Sequence, residues 1–143
     1  MLPVPQVRPE FRQGLGPLGN FAKRAGAAYG YGYNLQLSPP LPQPAVNVNA
    51  LPRPTQVALL ADAAQVNTFQ APASPEDPML EEFYYINTNE FTVHFRHSNH
   101  ASVLFCDGHV SIELPVADSM DRRLPGQRVG QLPANRLILG YGD

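Results

Sequence analysis

The chain has almost no sulfur chemistry and little charge. One cysteine, Cys106, stands among 143 residues, which excludes an internal disulfide and a cysteine-based zinc site within one chain. It lies in the apolar run VLFCDG, where a thiol reads as a small buried hydrophobe. Tryptophan is missing, and Lys23 is the single lysine. Charged residues make up 15% of the chain against a usual value of about 25%. Ten basic residues face twelve acidic ones, for a net charge of -2. The basic residues are spread out, which argues against nucleic acid as a partner, because phosphate binding needs clustered cations. No apolar run reaches the ~18 residues of a membrane span, and MLPVPQVRPEF has no signal-peptide pattern. Nor is there a nucleophile elbow, a phosphate-cradling glycine loop, a dinucleotide fingerprint or His-Glu-x-x-His. No catalytic residue is assigned, and an enzyme is not expected.

Proline is what the chain has in excess: 16 residues, beside 11 glycines. Together they fall short of the share typical of disordered low-complexity chains. One folded domain with long, stiff connections is expected. Residues 1–28 read as an extended arm, with a short helix at 17–25 between Pro17 and Gly26. In 29–37, YGYGYNLQL, the rings of Tyr29, Tyr31 and Tyr33 fall on one face of an extended strand. That face serves either sheet packing or contact with another subunit. Residues 38–55 hold six prolines and favour polyproline II over a central strand. TQVALLAD then reads as a buried strand ending at Asp62. In APASPEDPMLEEFYY, Ser74 and Pro75 carry helix-start signals, but Pro78 limits any helix there.

The clearest pattern spans 91–114. FTVHFRH alternates, SNH connects, ASVLFC is a second strand, and Asp107-Gly108 signals a type I′ turn into HVSIEL. A three-stranded antiparallel meander follows, and the fold class is α+β: a small antiparallel sheet with short helices and long proline-rich loops. In the tail, Arg122, Arg123 and Arg128 lie near Asp118 and Asp121. They form either a local ion-paired loop or an inter-subunit contact. LILGY, with Leu137, Ile138, Leu139 and Tyr141, reads as an edge strand or a segment docking on a neighbour.

Four histidines invite a metal reading. In the meander His97 and Asp107 would sit at opposite ends of the middle strand, on the order of 17–20 Å apart, too far to share one ion. No metal site is assigned.

RHSNHASVLFCDGHV has His97, nine residues, then Asp107-Gly108. It resembles the prepilin-type domain of bacterial pseudopilin-like proteins, which is defined by that spacing. YGYN at 31–34, the prolines and VALLAD up to Asp62, and DRRLPGQRVG at 121–130 match in order, so the similarity covers about 29–132, with 133–143 as a tail. The resemblance implies an extracellular or surface subunit that works by assembling with copies of itself, His97, Asp107 and Gly108 being structural. Pilins polymerise through a long apolar N-terminal helix. The proline-rich arm stands in its place here, so a head-only relative assembling through its ends is expected; the alternatives are an accessory pseudopilin head of a type II secretion or type IV pilus machine and a calcium- or ligand-binding surface module. Related heads can bind calcium in a loop, which leaves Asp107 or Asp118 open as a calcium ligand; no other cofactor is implied.

Overall fold

A computed structural model describes residues 29–140. The arm, its expected helix at 17–25 and Tyr141 lie outside the described residues. The fold is β-rich. Strands β1 (Tyr31–Asn34), β2 (Ala58–Asp62), β3 (Gln65–Asn67), β4 (Met79–Glu81), β5 (Tyr85–Ile86), β6 (Val93–His94), β7 (Ala101–Phe105), β8 (Val110–Glu113) and β9 (Val129–Gly130) are joined by loops and single 3-10 turns. No α-helix occurs among the described residues, nor any helix long and apolar enough to cross a membrane. One sheet has the order β5-β1-β2-β7-β8; β3-β4 and β6-β9 are separate two-stranded pairs.

VALLAD forms the middle strand of the large sheet. β2 pairs antiparallel with β1, Tyr33 opposite Leu60, and with β7, Ala61 opposite Val103. Ala58, Ala61, Ala101, Val103 and Phe105 point into the main core with Ile86, Val93, Phe95, Leu132 and Leu137. The small residues let the strands and loops approach closely. Gly32 shows how closely: a Cβ there would sit 2.9 Å from the Ala63 Cβ and the Tyr85 backbone nitrogen. A second cluster gathers Ala64, Val66, Leu80 and Val129.

The expected meander is corrected in its first strand. β7 and β8 do form a hairpin, Ala101 opposite Glu113 through Leu104 opposite Val110. The chain before it does not join that sheet; β6 pairs with β9. A strand has two edges, and β2 and β8 already fill those of β7. Val93 and Phe95 therefore pack into the main core while Phe95 N–H donates to the Arg128 carbonyl. The primed turn also moves upstream. His97 and His100 exchange backbone hydrogen bonds of 3.0 and 3.1 Å around Ser98 and Asn99, both with positive φ, as a type I′ turn requires. At Asp107-Gly108 only Gly108 is left-handed, φ 96°. Gly108 N–H donates to the Phe105 carbonyl, which makes a three-residue loop closed by glycine.

The helix signals near Ser74 also resolve as a turn. Ser74 Oγ accepts the Asp77 N–H at 3.1 Å, as an N-cap would. Pro78 then diverts the chain into β4.

Candidate functional site

Two charged residues, one closing β2 and one just after β6, organise the centre of the molecule. Asp62 is buried at the end of β2. Its Oδ1 accepts from Arg96 Nη2 at 2.7 Å. Its Oδ2 accepts from the Ser102 backbone N–H at 2.8 Å and lies 3.1 Å from His97 Nε2. Arg96 Nη2 also donates to the Gly30 carbonyl at 2.9 Å. One carboxylate thus ties together the entry to β1, the end of β2, the segment after β6 and the start of β7. A buried carboxylate is tolerated only with such compensation. His97 has a concrete structural role here: it latches the turn before β7 onto β2.

Asp107 is engaged separately. Its Oδ1 accepts from His109 Nδ1 at 2.5 Å and from the His109 backbone N–H at 3.2 Å. The side-chain hydrogen bond from His109 holds the Asp107 carboxyl below its usual range. The His109 ring stacks on Phe105 at 4.5 Å. Burial, and then the charge of Asp107, push the Cys106 thiol up, the reverse of what an activated nucleophile needs. Among the described residues no three His, Cys, Asp or Glu side chains gather as a metal site.

His94 is 5% exposed. Its Nδ1 lies 3.1 Å from Arg96 Nη1, and Tyr29 meets the ring edge-on at 5.6 Å. Burial first, then the Arg96 charge, lower its pKa to about 4. The unfolded chain takes up this proton near the ordinary value of 6.5. Stability from the neutral ring is therefore complete above about pH 6.5 and is lost as the pH falls towards 4. Between pH 7 and pH 5 the loss is expected to be about 1–2 kcal/mol. Urea unfolding checks it: His94→Gln should flatten that part of the pH profile, and identical slopes in both proteins would contradict the assignment.

The other expected contact residues divide. Tyr29 leaves the stripe and packs on the second cluster. Tyr31 and Tyr33 remain together on the open face of the sheet, Tyr31 62% exposed and Tyr33 36%. Arg123 closes on its own loop, with Nη2 2.6 Å and Nε 3.0 Å from the Asp121 carboxylate. Burial works to raise the Asp121 pKa, but the Arg123 hydrogen bonds and charge outweigh it and hold it down. Arg122 is exposed. Leu137 is a correction: it is fully buried in the chain's own core and offers nothing to a neighbour. Ile138 and Leu139 are half-buried and outside any strand.

Sequence reasoning missed Asp62 and Arg96 as a pair, and it missed Asn34. The available signal was a lone charge closing one apolar strand and another inside an alternating one. No family model, no curated protein and no solved structure matches the chain.

Proposed function

We propose that the protein is a non-enzymatic structural subunit that assembles with copies of itself into an extracellular or cell-surface polymer. This keeps the pseudopilin-like reading of the His97 to Asp107-Gly108 spacing. One observation carries it: the large sheet has an apolar face that the described residues leave open. Tyr31, Leu60, Leu104 and Val110 line one shallow depression of about 180 Å³ there. Val110 is 68% exposed and Ile112 62%. Both belong to β8, an edge strand, so a row of backbone donors and acceptors lies beside the apolar side chains. β8 is short and ends in Glu113, but apolar side chains this exposed on an edge strand are what monomeric sheet proteins usually avoid. A second copy of the same edge is a natural partner, because antiparallel pairing is self-complementary, and a net charge of -2 gives little repulsion.

Sedimentation and negative-stain microscopy test this. The chain is expected in regular particles far larger than 15.7 kDa. A Val110→Lys/Ile112→Lys variant should stay folded, since both side chains face solvent, and sediment as the monomer. A strictly monomeric parent protein at high concentration would refute the proposal, as would a variant that assembles normally.

A further inference from the structure

A second feature stands apart from the sheet face and does not depend on assembly. A cleft of about 740 Å³ lies between the Ser98–Asn99 turn and the Gly126–Arg128 turn. Tyr29, Met79, Leu80 and Leu124 supply apolar wall, and Arg96 and Arg128 supply cations. The two arginines are in different electrostatic states. Arg96 is matched by the Asp62 carboxylate at 2.7 Å, and its other neighbour, His94, is held neutral. Arg128 has no such match among the described residues: its Nε is buried without a hydrogen-bond partner.

Arg128 is costly to the fold in a second way. It caps a 3-10 turn with φ 60° and ψ 51°, a left-handed position that suits glycine and strains other residues. Backbone strain and an unsatisfied buried donor on one residue at the wall of a cleft are the pattern of a ligand clamp. Arg96 and Asp62 cancel, so among the described residues the site carries one uncompensated positive charge. One positive charge matches a monoanion, and a bare phosphate would leave the apolar walls of the cleft uncovered. A planar guanidinium matches a carboxylate in shape, and the apolar walls suit a hydrocarbon body.

We propose that this cleft binds a small carboxylic acid with an apolar body, its carboxylate on Arg128. Benzoate is the probe, with uncharged benzamide and inorganic phosphate as controls. Thermal unfolding and calorimetry should show saturable benzoate binding that stabilises the protein, with benzamide and phosphate much weaker. Arg128→Gly removes the guanidinium and relieves the left-handed strain, so it should fold at least as stably as the parent while weakening benzoate by about tenfold or more. Arg128→Gln, which keeps a side chain in the cleft, should lose affinity similarly. The proposal fails if benzoate does not bind at millimolar concentration or if benzamide or phosphate binds equally well. Unchanged benzoate affinity in the folded Arg128→Gly protein also overturns it.

Discussion

Asp62→Asn is expected to destabilise the protein by about 3–5 kcal/mol, the usual result of removing one partner from a buried ion pair. The substitution preserves volume, so packing loss contributes little. What changes is charge. Arg96, which the carboxylate meets at 2.7 Å, keeps its carbonyl partner at Gly30 but loses its counter-ion. The new amide must also turn either its NH2 group or its single oxygen towards Ser102 N–H, which donates to the carboxylate at 2.8 Å. His97 loses its anionic partner as well. Urea unfolding measures the cost. A companion variant separates charge from packing. Asp62→Leu combined with Arg96→Met removes both charges, and it should be clearly less destabilised than the sum of the single variants. A cost below about 1 kcal/mol for Asp62→Asn would mean that the pair acts like an exposed ion pair and does not organise the centre of the fold.

Asn34→Leu is the second large effect, expected at about 2–4 kcal/mol. Asn34 is fully buried on β1. Its Nδ2 donates to the Ala58 carbonyl at 3.0 Å and to the Leu137 carbonyl at 2.9 Å, and its Oδ1 accepts the Gln36 N–H. The amide joins β1 to β2 and to a residue 103 positions later in the chain. An apolar replacement leaves two buried carbonyls without a donor. Asn34→Asp makes a sharper test. At neutral pH its carboxylate would face both carbonyls, so this variant should be less stable than Asn34→Leu at pH 7. Its stability should recover as the pH falls, because protonation restores one donor. Such a carboxyl has a raised folded-state pKa, and the proton lost as the pH rises carries the stability with it. A pH-independent cost would show that the amide's donors are not what position 34 supplies.

These residues show where reading along the chain stopped. The hairpin of β7 and β8, the burial of VALLAD and the extended character of YGYN follow from local pattern: alternation, β-branched and aromatic content, and a glycine at the turn. FTVHFRH alternates as well, yet its strand left the meander. Alternation says that a segment is extended with two different faces; it does not say which strand lies beside it. Tyr29 left Tyr31 and Tyr33 for the same reason. Period two placed the rings on one face only while the chain stayed in the strand, and β1 begins at Tyr31. At Asp107-Gly108 the dipeptide marked the turn but not its length. Backbone contacts with Pro54 and Val57 favour the longer loop.

The amino-acid sequence alone indicated strands around a tight hairpin in a chain with low charge and no recognisable catalytic motif; its single thiol, expected to be buried, is half-buried. It also marked the segments that turn, since backbone φ preferences and side-chain periodicity are local properties. The tertiary structure decided which charges meet. Asp62 and Arg96 are 34 residues apart, and Asn34 reaches a carbonyl 103 residues away. It likewise decided that Leu137 faces inward while Val110 and Ile112 face outward, and that Arg128 lines a cleft without a counter-ion among the described residues. Burial, desolvation and ion pairing depend on what packs across space, and no window along the chain contains that.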